Sequence, residues 1–256
     1  MAIGAITDYV DVAQLVLYGF WVFFAGLVYY LTLESKREGF PLEYDVRGET
    51  RRATGIAGMP APKTFRTEFM GDFTVPKDEP LLPVAARPSS YLNGAPLVPT
   101  GNPMLDGVGP GAYTMRVDLP DMTSEGQKRI LPNRLLSEFT VAKQDTNPYG
   151  LDVVGDDGVV AGSVKELWID QAEMVIRYFE IETLPEFGSR RVLLPMNFSR
   201  VHRDYIKVES ILGNQFALVP GLRTHDQITL LEEEKIMAYY GGGTLYATPE
   251  RQEPLI

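Results

Sequence analysis

Two short runs of charge stand out as groups that could do chemistry. In one, Asp118, Asp121 and Glu125 precede Lys128 and Arg129; in the other, Asp170 and Glu173 precede Arg177. A carboxylate among other carboxylates has its pKa raised towards working pH, and nearby guanidinium groups pull it back down. Such a mixture can take up protons and pass them on. The same pattern also serves as plain surface ion pairing, worth about 0–1 kcal/mol per pair. Other chemistries have less to stand on. The chain has no cysteine, so disulfides, thiolate catalysis and Cys-based metal sites are excluded. His202 and His225 are the only histidines; neither lies in an apolar segment, and they make a weak metal signal. His202 has Asp204 nearby, but no serine joins them in a recognisable arrangement. There is no P-loop, GxGxxG or HExxH, and the tract Gly241-Gly242-Gly243 follows a helical pattern rather than opening one, so it is no phosphate cradle. An enzyme reading therefore lacks a constellation to rest on.

The net charge of −10 is uneven: residues 1–37 contribute −1 and the rest −9. Phosphate contacts need clustered Lys and Arg, so nucleic acid is not an expected partner, whereas protons or cations are compatible with this balance.

The elements that must position these groups begin with a membrane span. Residues 12–33 hold no charge, and Gln14 is their one strongly polar side chain. At 1.5 Å per residue such a helix covers roughly 33 Å, enough for a bilayer core. Asp11 with Gln14 reads as its N-terminal cap, and Tyr9, Tyr29 and Tyr30 as interfacial aromatics. A secretory signal is disfavoured, since no basic stretch precedes the run, the run is too long and no small-residue cleavage site follows. Lys36 and Arg37 follow the helix while residues 1–11 carry no Lys or Arg. The positive-inside rule therefore expects a single-pass protein with residues 1–11 periplasmic and the remainder cytoplasmic. Gly19 and Gly26, with the bulky Tyr18, Trp21, Tyr29 and Tyr30, suit packing against other membrane helices; a simple anchor suits them equally.

Residues 40–132 carry 13 of the 19 prolines and lack helical periodicity. Apolar residues such as Phe65, Phe73, Leu81, Leu82, Tyr91, Leu97 and Tyr113 are nevertheless spread through this stretch, which true linkers lack. The expectation is an extended segment over residues 34–132 laid on a partner's surface. Beyond it, residues 133–256 read as a mainly β domain. Short strands are predicted at 137–142, 158–161, 164–170, 174–183, 191–194 and 205–210, with turns at 156–158 and 186–189, suggesting a small antiparallel barrel. One helix is predicted over residues 230–240, capped by Thr229 and Glu232, its acidic run Glu232–Glu234 in the first turn and its end at Gly241–Gly243.

Five motifs, in this order, carry a resemblance over essentially the full length: DVAQLVLYGFWVFFAGLVYYL from Asp11, KREGFPLE from Lys36, PTGNPMLDGVGP from Pro99, AGSVKELWIDQAEMVIRYFEIE from Ala161 and TLLEEEKIMAYYGGGTLYATPER from Thr229. The chain resembles the H subunit of the photosynthetic reaction centre of purple bacteria, in the inner (intracytoplasmic) membrane. The resemblance implies one helix packed on the L and M subunits, which hold the bacteriochlorophylls, bacteriopheophytins, quinones and non-haem iron. It further implies a cytoplasmic domain of the PRC-barrel type that caps the quinone side, binds no pigment, stabilises the complex and helps deliver protons to the secondary quinone. The light-harvesting 1 ring, a cytochrome subunit and lipids such as cardiolipin are further implied neighbours. By the same resemblance Glu173 matches a glutamate of the proton path, in the context Trp168, Asp170, Glu173, with Arg177 beside it; Asp121 and Arg129 match charged positions at the proton entrance. One departure stands out. Where well-studied members have an Asp and two His, this chain has Thr123, Glu125 and Gln127, so a histidine metal site is not expected, while Glu125 can still take up protons. Zinc should accordingly slow proton-coupled reduction of the secondary quinone far less here than in members with both histidines; equal inhibition at matched zinc concentration would overturn this. A stand-alone membrane-anchored PRC-barrel scaffold is the alternative reading.

Overall fold

A computed structural model describes residues 11–38, 42–46, 49–53, 55, 57–77, 83–92, 94–136 and 138–252. Of the expected periplasmic residues 1–11, all but Asp11 lie outside these, as do Phe40, Leu81, Leu82 and Ser137. The chain divides into two compact units, one drawn from residues 1–81 and 90–95, the other from 82–89 and 96–256.

In the first unit, α1 (Val12–Ser35) starts where expected, the Asp11 carboxylate accepting the Gln14 N–H at 2.7 Å, and runs two residues past the predicted end. None of its residues is buried within the chain, and it is the one helix among the described residues long and apolar enough to cross a membrane. Its faces differ. At 100° per residue Gly19, Gly26 and Tyr30 fall within about 40° of one another, whereas Trp21 points to the far side. There it meets Phe20 and Phe24, with ring centroids 5.5 and 6.0 Å away. The expected packing set thus splits into a small-residue seam and an aromatic stripe, with Tyr18 between them. Lys36 is buried and donates to the Gly58 carbonyl at 2.8 Å, while Arg37 pairs with Glu34 and donates to the Ala61 carbonyl. Both basic residues tie the end of α1 to the chain that follows. Two antiparallel hairpins complete the unit: β1 (Leu42–Val46) with β2 (Glu49–Ala53), and β3 (Lys63–Thr67) with β4 (Gly71–Val75). In the second hairpin Phe65 faces Phe73 across the ladder, both exposed.

The second unit opens with a hairpin, β5 (Ala86–Pro88) on β6 (Leu97–Pro99). Its remaining strands, β7 (Ile130–Pro132), β8 (Asp152–Val154), β9 (Val160–Asp170), β10 (Val175–Thr183), β11 (Arg191–Pro195), β12 (Arg200–Val201) and β13 (Tyr205–Lys207), form one seven-stranded sheet in the order β11-β10-β9-β8-β13-β12, with β7 also on β9. Its core holds Trp168, Phe179, Phe216, Tyr239 and Tyr240, all fully buried. The alternation read in the sequence is therefore mostly right, with four corrections. The predicted strands at 158–161 and 164–170 are a single strand, β9. Gly162 lets it continue, since a Cβ there would lie 2.2 Å from the Glu182 carbonyl oxygen of β10. Residues 138–142 form no strand: β10 takes one edge of β9, β8 and β7 the other, so Phe139 and Val141 meet the core by side-chain contact alone. The pair β8–β13 is parallel, within an otherwise antiparallel sheet, because the long chain between them can cross over. Finally, residues 96–132 belong with the second unit instead of an extended arm: Met104, Val108 and Ile130 are buried and β7 is a strand of its seven-stranded sheet.

The helix α2 (Leu230–Tyr246) has the expected cap, Thr229 Oγ1 accepting from the Glu232 N–H at 3.2 Å and Glu232 accepting from the Thr229 N–H at 2.9 Å. It does not stop at the glycines; it runs through them. A Cβ on Gly242 would lie 3.1 Å from Gly111 Cα, and one on Gly243 2.4 Å from both Ile211 Cγ2 and the Ser210 carbonyl oxygen. The tract is a contact surface where backbone meets backbone, which explains three residues that each weaken a helix by about 1 kcal/mol.

Candidate functional site

The tight turn joining β9 to β10 places the second charged run. Asp170 ends β9 and is fully buried. Its Oδ1 accepts the N–H groups of Ala172 at 3.0 Å and Glu173 at 3.1 Å, so the carboxylate itself folds the turn. The first run is brought to it by β7. Ile130 pairs with Asp170, the Gln171 N–H donates to the Arg129 carbonyl at 2.9 Å, and Gln171 Nε2 donates to the Lys128 carbonyl at 2.8 Å. Residues 121–129 form a small loop closed by the Arg129 N–H on the Asp121 carbonyl at 2.8 Å.

Arg129 is the hub. Its Nε donates to both Asp170 carboxylate oxygens at 2.9 and 3.1 Å, one terminal nitrogen reaches Asp121 Oδ2 at 3.3 Å, and the other pairs with Glu173. Arg177 closes the other side, 3.9 Å from Asp170 and 3.7 Å from Glu173. Hydrogen bonding and the charges of Asp170 and Glu173 push the Arg129 pKa further up, so it is a fixed cation. Five of the six predicted proton-transfer residues, Asp121, Arg129, Asp170, Glu173 and Arg177, therefore meet in one network. Asp170 is sealed at its base and Glu173 half-exposed at its mouth.

Glu125 stands apart. It is fully exposed, accepts from Ser124 Oγ at 2.7 Å, and is held below the usual carboxylate range by that bond, by its own backbone N–H and by Thr123. A lowered pKa keeps it ionised and makes it a poor proton carrier. Asp118 also leaves the group: it accepts from Thr229 Oγ1 at 2.7 Å and pairs with Arg223 at 2.7 Å, supporting the start of α2.

Sequence reasoning missed one group. Glu233, read as helix-dipole complement, is partly buried and accepts the Tyr178 hydroxyl at 2.8 Å. No spacing signal could have joined positions so far apart in the chain. Among the described residues no set of three or more His, Asp or Glu side chains is placed to hold a metal ion.

A single apolar helix joined to a β domain with a buried carboxylate–arginine network defines a class: a membrane-anchored barrel subunit. Comparison with known families agrees, matching residues 141–215 to the PRC-barrel domain. Residues 4–135, just over half of the chain, match the N-terminal region of the photosynthetic reaction centre H-chain, and the chain belongs to that family. It is thus a structural subunit of a photochemical complex, associated with the L and M subunits.

Proposed function

We propose that the second unit caps the cytoplasmic, quinone-reducing side of L and M, and that the Arg129-centred network passes protons towards the secondary quinone. Arg177 and Glu173 form its water-facing end. The observation that carries this reading is the geometry of Asp170: a carboxylate withdrawn from water, gripped by Arg129 and approached by Arg177, with the exposed Glu173 on the same two arginines. A surface ion pair made for stability alone needs no buried carboxylate, whose desolvation costs several kcal/mol. Lys36 and Arg37 support the orientation with the N-terminus periplasmic. In the same reading the exposed faces of α1 meet L and M, membrane lipids such as cardiolipin, and the light-harvesting 1 ring. The quinones, bacteriochlorophylls, bacteriopheophytins and non-haem iron reside on L and M, and a cytochrome subunit completes some such complexes.

The test is Glu173→Gln in the intact complex. It should slow the proton-coupled second electron transfer to the secondary quinone by about a hundredfold, the low end of what a positioned proton-transfer group contributes. The first electron transfer and quinone occupancy should stay as they are. An unchanged flash-induced rate would remove this network from the proton path.

A further inference from the structure

Beside the network, on the other side of Arg177, lies a cleft of about 640 Å³ lined by Arg116, Arg177, Tyr178, Asn197, Glu233 and Glu234 among others. At about 30 Å³ per water it has room for on the order of twenty waters. Tyr178 is buried in the sheet and donates its hydroxyl to Glu233 Oε2 at 2.8 Å. Glu234, next along α2, pairs with Arg116 at 3.6 Å. Glu233 therefore enters the cleft with a neutral tyrosine as its direct partner, and Arg177, which also contacts Glu173 and Asp170, lines the same cleft and acts on Glu233 through its charge.

We propose that Glu233 is a proton-storing carboxyl, loaded from the water of this cleft and coupled through Arg177 to Glu173. The assignment deepens the proton-delivery reading above and rests on it for direction, though not for the protonation of Glu233 itself. The groups facing Glu233 act in opposite senses. Burial is the largest influence and raises its pKa, and the charge of Asp121 adds to this. The Tyr178 hydrogen bond, Arg177 and Arg116 lower it, and the N-terminal position on α2 works the same way. Burial prevails, leaving the pKa above the ordinary carboxylate value, in the direction that lets the group hold a proton closer to neutral pH.

The experiment is light-minus-dark infrared spectroscopy of the whole complex on reduction of the secondary quinone, in wild type, Glu233→Gln, Tyr178→Phe and, as an exposed control paired with Lys165, Glu182→Gln. Wild type and Glu182→Gln should show a carboxylic-acid C=O band that Glu233→Gln lacks. Tyr178→Phe should keep the band and move its deprotonation midpoint to higher pH, since the hydroxyl that favours the ionised form is gone. A band retained in Glu233→Gln overturns the proposal, as does an unmoved midpoint in Tyr178→Phe. The Glu173→Gln kinetics separate the two readings. If Glu173→Gln leaves the second electron transfer unchanged while Glu233→Gln loses the band, the relay fails and proton storage at Glu233 stands. If Glu173→Gln slows it and the band persists in Glu233→Gln, the relay stands and Glu233 falls.

Discussion

Replacing Arg129 with alanine should destabilise the H chain by about 3 kcal/mol, the low end of the cost of breaking a buried ion pair. Asp170 is fully buried, and both its oxygens accept from Arg129 Nε. Without that guanidinium it keeps two backbone N–H groups and Arg177 at 3.9 Å, too little to replace water for an ionised carboxylate. The low end is appropriate because Arg129 itself is partly exposed and Arg177 remains. Denaturation of the purified chain in detergent micelles would measure the loss, read on a near-ultraviolet signal from the buried Trp168. Adding Asp170→Asn to the Arg129→Ala background should recover part of it, because the second change removes the stranded charge. A loss below about 0.5 kcal/mol would show the pair behaving like an exposed salt bridge and would undo the account of Asp170 as the sealed base of the network.

The second large effect is expected at Gly243→Ala, with a net loss of about 2 kcal/mol. On an isolated helix this change would gain about 1 kcal/mol. Here the new methyl carbon would sit 2.4 Å from Ile211 Cγ2 and from the Ser210 carbonyl oxygen. Backbone must move, and overpacking of this kind costs about 1–3 kcal/mol. The displacement also loosens Arg251, which donates to the Ser210 carbonyl at 2.8 Å and to the Gly243 carbonyl at 2.6 Å, clamping the end of α2 to the segment after β13. Thr244→Ala, on the exposed side of the same turn, should stay within about 0.5 kcal/mol. The same micelle denaturation compares the two; a stable Gly243→Ala chain would mean that the glycines serve the helix end after all.

These two sites mark where reading the sequence reaches its limit. The clamp at Gly243 was invisible because a glycine tract after a helical pattern is ordinarily a stop signal. Only the approach of residues 109–111 and 210–211 turns it into a packing surface. The network around Arg129 was half visible: the residue types and their two runs were plain, but their meeting depends on β7 pairing with the end of β9. That pairing is non-local, and nothing in the local alternation of residues 130–132 announces it.

By itself the sequence determined the membrane helix, its Asp11 cap and the capping box of α2. Each depends on residues within a few positions of one another, where a 3.6-residue period or a cap spacing states the physics directly. It also determined the family, through long ordered motifs. Tertiary structure alone decided which charges are buried, that Asp118 serves α2 and not the Arg129 network, that residues 96–132 belong to the second unit, and that Glu233 faces a cleft beside Arg177. Burial and the electrostatics that follow from it are properties of distance in space, and the chain brings these groups together from positions up to about a hundred residues apart.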